Sequence, residues 1–369
     1  MEPLNVLIGP NGGGKSNLIE AIELLRATPT NVADCIRDGG GVREWLWKGG
    51  ERKPATIEAV VDEGTPAGRP LRYRLEFFEA ASRLEVLDEA VEEVEPQPGK
   101  PDVYFYYRFR RGSPVVNVAT QNGGRQSRHL ERESLLPDQS VLSQRKDPDQ
   151  YPEVTWLGRR FGNFSTFREW SIGRYAPLRT PQPADLPADS LLADSRNLAL
   201  VLNHIEHHDG REFDGLLHRF LPQFERMTTR IEGGQVQFYL HERGLTSPVP
   251  ATRLSDGTIR FVAILAALLS PSPPPLLCIE EPELGLHPDA LAVIGSLLVE
   301  ASHRMQLIVT THSDALVSAL TADAEAVMTC EKRGSGTVLR RLDAGALGEW
   351  LEQYQLGDLW RMGELGANP

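Results

Sequence analysis

Three short apolar runs, "LNVLI" (Leu4 to Ile8), "LLCIE" (Leu276 to Glu280) and "LIV" (Leu307 to Val309), each end in glycine or polar residues and then pass into helix-patterned sequence. Continuous short apolar runs of this kind read as strands of a buried, parallel sheet. The first is followed by "KSNLIEAIELL", whose Leu18, Ile19, Ile22 and Leu25 share one helical face. The second is preceded by the apolar helix "TIRFVAILAALL", ended by Pro271 and Pro273 to Pro275. From about 54 to 135 the pattern changes to alternation with turn signals, in "ATIEAVV", "LRYRLEFF", "DVYFYYRF" and "PVVNVA". That predicts antiparallel strands and hairpins. A mixed, mainly helical lobe is expected over 136–253, with the irregular "APLRTPQPADLP" before "LLADSRNLALVLNHIE". The fold class is therefore α/β: a mostly parallel core sheet built from 1–53 and 254–342, an antiparallel β-rich region over 54–135, the helical lobe, and a tail over 343–369 carrying the helix "ALGEWLEQY".

Composition changes this picture little. A chain of 369 residues with 40% hydrophobic and 24% charged residues buries one large core or two moderate ones. Its best apolar run, "FVAILAALL", is about half the roughly 18 residues a membrane span needs, so no membrane association is expected. The start "MEPLNVLIGP" lacks a basic leader segment and does not read as a signal peptide. Three scattered cysteines, Cys35, Cys278 and Cys330, fit reduced thiols and a cytoplasmic location. The net charge of −12 works against unaided polyanion binding. Charge is uneven, however: Pro101 to Thr180 holds 13 Lys/Arg and 8 Asp/Glu, concentrated in "YYRFRRG" and "GRQSRHLER". A solvated β surface explains this better than a nucleic-acid contact, so DNA is expected as a weak partner at best.

The apolar runs acquire chemistry at their ends. "GPNGGGKS" (Gly9 to Ser16) fits the phosphate-binding loop pattern, with the strand before it and the helix after it that the pattern requires. Gly9, Gly12, Gly13 and Gly14 let backbone N–H groups curl toward phosphate oxygens, and the helix adds its positive end. With Asn11 and Asn17 these glycines form the candidate ATP site; Lys15 would reach the β- and γ-phosphates and Ser16 would ligate Mg²⁺. Glu280 and Glu281 sit at the C-terminal end of "LLCIE", where ligands of parallel sheets collect. Glu280 reads as the Mg²⁺-side carboxylate and Glu281 as the base or water-orienting group. In "QLIVTTHSDALVSAL", His312 ends a further core strand and could sense the γ-phosphate. The histidines of "HIEHHDG" (His204, His207, His208) lack acidic or cysteine companions at ligand spacing and read as a solvated face.

"GPNGGGKSNLIEAI", "LSDGTIRF", "EEPELGLHP" and "TTHS", in that chain order, resemble the ABC-type ATPase heads of the RecF, SMC and OLD branch. "LSDGTIRF" and the C-terminal "YQLGDLWRMGELG" narrow the likeness to stand-alone bacterial RecF-like predicted ATPases of the AAA group. The resemblance implies that Leu254, Ser255, Asp256 and Gly257 form a signature serving the nucleotide of an opposite subunit in an ATP-bound, head-to-tail homodimer. It also implies a glutamine linking the metal to the helical lobe, for which Gln144 is the candidate and Gln139 competes. Relatives carry a strand or two before the phosphate loop that contact the adenine, whereas here Leu4 is reached almost at once. No long heptad arms are present, and the 57 residues after His312 hold no acidic cluster of nuclease character. The expected function is an ATP-hydrolysing switch controlling a separately encoded effector in DNA maintenance or phage defence. The alternative is an ATP-clamped scaffold or sensor with negligible turnover; a transporter-coupling role has no supporting segment.

Overall fold

The computed structural model describes residues 1–110, 112–120, 125–131, 135–334 and 336–366. The chain divides into two compact units, Met1–Ile19 with Ser165–Pro369, and Glu20–Phe164. It opens with β1 (Leu4–Ile8), buried along its whole length, and α1 (Lys15–Ala27), within which the chain passes from the first unit into the second.

The second unit continues with α2 (Val32–Asp38), α3 (Val42–Trp45), β2 (Ala55–Val61), β3 (Leu71–Ala80), β4 (Arg83–Glu93), β5 (Phe105–Arg110), β6 (Ser113–Ala119), β7 (Arg125–His129), α4 (Val141–Gln144) and α5 (Pro152–Gly162). Its strands form one antiparallel sheet in chain order, β2 through β7. Burial alternates along β3, with Leu71, Tyr73, Leu75 and Phe77 turned to a core that includes Leu24, Val32, Val154 and Phe161. The four stretches whose alternation predicts strands lie in or overlap β2, β3, β5 and β6. The longest strand, β4, carries "RLEVLDEAVEE", where closely spaced acidic residues hide the alternation. Two of those carboxylates are held from neighbouring strands. Arg72 and Arg108 both hold Glu92, and Tyr106 donates to Glu93 at 2.9 Å.

The first unit resumes with β8 (Ser165–Phe167), β9 (Gln182–Pro183), α6 (Leu198–Phe220), β10 (Phe224–Glu232), β11 (Gln235–Glu242) and β12 (Val249–Pro250). It ends with α7 (Asp256–Leu268), β13 (Leu276–Glu280), α8 (Pro288–Ser302), β14 (Gln306–Thr310), α9 (Asp314–Ser318), β15 (Val327–Arg333), β16 (Gly336–Arg341), α10 (Ala344–Leu351) and α11 (Leu356–Met362). Its main sheet runs β16-β15-β1-β14-β13-β8, parallel except for the hairpin partner β16. A smaller antiparallel sheet is made of β9 to β12. The region expected to be mainly helical therefore alternates helices with strands. "FERMTTRIEGGQVQFYLHE" pairs with itself around Gly233 and Gly234, both at positive φ, a hairpin turn that L side chains disfavour. The apolar helix α7 is buried from Thr258 to Leu268 apart from Arg260, and Phe261 stacks on Phe220 of α6 at 4.1 Å.

Glu89, in the second unit, is fully buried and accepts hydrogen bonds from Tyr73 Oη (2.7 Å), Ser140 Oγ and the Val141 N–H (2.8 Å). Burial raises its pKa from 4.5 to about 7, against the pull of these donors. A carboxyl raised on folding binds its proton more tightly in the native state, so this group's contribution to stability is fullest below pH 4.5 and is lost as pH climbs through about 7. The loss is on the order of 3 kcal/mol. Denaturant titrations at pH 5 and pH 8 should show this decline, and Glu89→Gln should flatten it.

Candidate functional site

The phosphate loop is shaped by glycines and by a hairpin behind them. Gly9 leaves β1 at φ 147°, where an added Cβ would stand 2.4 Å from the Cys330 carbonyl oxygen of β15. Gly14, at φ 97°, would bring a Cβ within 2.0 Å of Thr337 Oγ1 on β16, whose hydroxyl donates to the Gly13 carbonyl at 3.0 Å. Thr337 has no motif around it, so nothing in the sequence singled it out. Asn11, Gly12, Ser16 and Asn17 are exposed, whereas Lys15 is only 7% exposed. The Lys15 ammonium donates to the carbonyls of Gly9 (2.6 Å) and Pro10 (3.2 Å). Burial lowers its pKa; Cys330 and the carboxylates of Glu281, Glu280 and Glu283 pull the other way.

The parallel sheet brings the acidic and histidine motifs to the same edge. Thr310 of β14 is in register with Leu7 of β1 on one side and Glu280 of β13 on the other. Glu281 follows at φ 45°, an unusual conformation for a side-chain-bearing residue, and its N–H donates to the Thr310 carbonyl at 3.0 Å. Backbone held in the left-handed region against its preference concentrates at functional sites. Glu281 Oε1 lies 3.8 Å from His312 Nε2, ion-pairing range for a protonated imidazole.

A third carboxylate of the same loop does a different job. Glu283 accepts from the Thr311 hydroxyl and the His312 N–H, both at 2.7 Å, and so ties the loop after β13 to the loop after β14. Burial raises its pKa. The strand-end pattern of "EEPELG" marks its first two glutamates and not the third, whose spacing from them is the one local signal of its role. On the far side of His312, the Gly357 Cα packs so tightly that a Cβ would lie 2.1 Å from the Asp314 carbonyl. The "YQLGDLW" segment therefore buttresses the histidine loop through α11 and α9.

Beside Glu280 the first unit places Arg168. The residue follows β8, the strand next to β13, and its Nε donates to Glu280 Oε2 at 2.9 Å. Gln144 lies in the second unit at the end of α4, where its amide accepts from the Leu136 N–H (2.7 Å) and donates to the Gln139 carbonyl (3.0 Å). Gln139 donates to Asn31 Oδ1 at 2.8 Å. Both amides thus make local contacts in their own unit.

The "LSDG" segment opens α7 as a well-formed cap. Ser255, exposed, accepts from the Thr258 N–H at 3.0 Å. Gly257 is required by close approach, since a Cβ there would meet the Gly285 carbonyl oxygen at 2.9 Å. The start of α7 consequently abuts the loop that carries Glu281 and Glu283. Leu254 is buried and Asp256 exposed.

The basic residues of the second unit are largely neutralised at home. Arg108 pairs with Glu92 at 2.7 Å and lies over the Phe105 ring; Arg110 faces Asp88 at 3.4 Å; Arg125 pairs with Glu153. Arg111, Gly124 and Arg132 of the same clusters lie outside the described residues. This pairing offsets part of the positive charge that the clusters offer a phosphate backbone, while Arg128 and His129 of β7 are exposed.

The fold and the loop have the α/β architecture of P-loop ATPase heads of the ABC type. The chain belongs to the family described as "AAA domain, putative AbiEii toxin, Type IV TA system", which matches residues 4–318. Among solved structures it is similar to an Smc head bound to the C-terminal winged-helix domain of ScpA (14% identity, TM-score 0.52, covering 94% of this chain and 92% of that one). It is likewise similar to the Smc head from Pyrococcus furiosus with an extended coiled coil, bound to the C-terminal domain of ScpA (13% identity, TM-score 0.54, 95% and 92% covered). At such identities the likeness is one of fold. The search of curated proteins found no match. Among the described residues no helix is long and apolar enough to cross a membrane.

Replacing Glu283 by Ala should leave the Thr311 hydroxyl and the His312 N–H without their acceptor, at about 1–3 kcal/mol for each buried group. Glu283→Gln keeps one acceptor oxygen and should lose less. Urea midpoints of the two variants measure the difference, and a wild-type midpoint for the Ala variant would remove the latch.

Proposed function

We propose that the chain is an ATP-hydrolysing switch that pairs head-to-tail with a second copy around two shared nucleotides, and so controls a separately encoded effector. The observation that carries the reading is the meeting of the motifs at one sheet edge. Thr310 is in register with Leu7, just before the glycine-shaped loop that buries Lys15, and with Glu280, and Glu281 is held in a left-handed backbone conformation beside His312.

The residues present fit a magnesium nucleotide. The donors on offer are oxygens, from the exposed Ser16 hydroxyl and the Glu280 carboxylate, the set that suits a hard cation. Among the described residues no group of three or more His, Cys, Asp or Glu could hold a metal ion. Mg²⁺ commonly relies on one or two protein oxygens together with phosphates. When bound, Mg²⁺ would neutralise charge on the phosphate oxygens. Lys15 and the loop N–H groups would orient the triphosphate, Glu281 would take a proton from the attacking water, and His312 would respond to the γ-phosphate. Arg168 would hold the Glu280 carboxylate in one orientation.

Pairing is supported by what the surface offers. Ser255 and Asp256 are exposed at the start of α7, and Leu284, in the loop against Gly257, is 51% exposed. A helix N-terminus of this kind binds an anion, and an exposed leucine beside it suits a contact surface. The matched Smc heads are bound to ScpA; by analogy a separate protein is the expected reader of the paired state here. A place in DNA maintenance or phage defence fits the branch resemblance and the toxin–antitoxin wording of the family description. Turnover separates this reading from a static ATP clamp.

Glu281→Gln should retain ATP binding and slow hydrolysis by about 10²-fold or more, read from single-turnover rates. Lys15→Ala should abolish binding instead. Lys15→Ala and Ser255→Arg should each be nearly inactive alone, yet mixing them should recover activity, up to about half that of the native dimer if every dimer is mixed and the sites are independent. Zero activity at all ratios, with mixed dimers shown by cross-linking, would refute shared sites.

A further inference from the structure

Arg179 is 2% exposed, and every guanidinium nitrogen is engaged. Nε donates to the Ile172 carbonyl at 2.7 Å; Nη1 donates to the Leu254 carbonyl at 2.5 Å and the Ala251 carbonyl at 3.5 Å; Nη2 pairs with the Asp256 carboxylate. Three of these four acceptors belong to the segment from Ala251 to Asp256 that leads into α7. A buried guanidinium is costly and an apolar side chain of similar volume would fill the space more cheaply. Its position is also electrostatically contrary, because the N-terminal end of α7 is already the positive end of the helix dipole. Asp256 offsets the repulsion from outside, with a side chain 81% exposed against 3% for Arg179. A planar fork reaching two carbonyls and a carboxylate is the geometry by which arginine fixes a backbone.

We propose that Arg179 is a positioning residue for the shared nucleotide site. It holds Leu254 to Asp256 so that the Ser255 hydroxyl and the Gly257 N–H face the γ-phosphate carried by a second copy of this chain. The fork acts by position: the Asp256 carboxylate anchors its outer end, and loss of that anchor would free the backbone of Leu254 to Asp256. This rests on the shared-site reading above, and the test separates the two. Arg179 has no part in the chain's own phosphate loop, so its loss should spare one function and remove the other.

Arg179→Lys keeps the charge and loses the fork. It should bind ATP within about twofold of the native affinity, while hydrolysis and ATP-driven association fall about 10-fold or more. Mixed with Lys15→Ala, whose signature is intact, it should recover activity; mixed with Ser255→Arg it should not, because both chains then lack a working signature. If Lys15→Ala rescues Ser255→Arg but not Arg179→Lys, the Arg179 assignment is overturned and shared sites stand. If it rescues neither, both fall. Asp256→Asn, at the exposed end of the pair, guards against a folding defect. Its melting temperature should stay native while ATP-driven association, measured by light scattering in a Glu281→Gln background, weakens about threefold or more. Unchanged association in that variant would also overturn the proposal.

Discussion

β14 is hydrogen-bonded in parallel on both flanks, to β1 from Leu4↔Leu307 to Leu7↔Thr310 and to β13 from Leu276↔Gln306 to Glu280↔Thr310. That double register decides which residues meet. Thr310 becomes the common reference: the phosphate loop leaves β1 on one side of it, the acidic pair leaves β13 on the other, and His312 follows two residues on. A parallel sheet gathers strand C-termini on one edge, so residues some 300 positions apart in sequence share one small volume. A shift of one residue in either pairing would turn Glu280 and the buried strand residues to opposite faces.

The loops at this edge are held by polar contacts rather than by apolar packing. Glu283 ties the loop after β13 to the loop after β14, Arg168 holds Glu280, and the Thr337 hydroxyl braces the phosphate loop from the hairpin β15–β16. Each contact joins elements distant in sequence, and each uses a charged or hydroxyl side chain at a strand end. Such groups specify position because their hydrogen bonds are directional, where apolar contacts tolerate sliding. The edge is thus rigid at Glu281, Glu283 and His312 while Ser16, Asn17 and Ser255 remain open to solvent.

The same division separates the two ends of α7. From Ile259 onward its apolar residues lie in the core and fix the helix axis. Its start is fixed by a buried arginine from a different segment and by the close approach of the Gly285 carbonyl to Gly257. The helix body is set by the apolar core, and its N-terminus lies against the loop of Glu281 and Glu283. That contact is the physical basis for expecting the two motifs to act together.

The sequence by itself determined the elements whose signal is local. The glycine loop between an apolar strand and an amphipathic helix, the apolar runs of β13 and β14, the apolar helix α7 and the alternation in β3 could each be read from neighbouring residues, because period and turn chemistry are short-range properties. Lys15, Glu280, Glu281 and His312 were legible for the same reason, standing next to those runs. Only the tertiary structure decided that β8 lies beside β13, which puts Arg168 on Glu280. It alone set Glu281 at positive φ, paired the arginines of β5 with carboxylates of β4, and brought Glu283, Thr337 and Arg179 to their partners. None of these has a local pattern. Each depends on strand order and on a contact between distant segments, and strand order is set by packing over the whole core rather than by any stretch of chain.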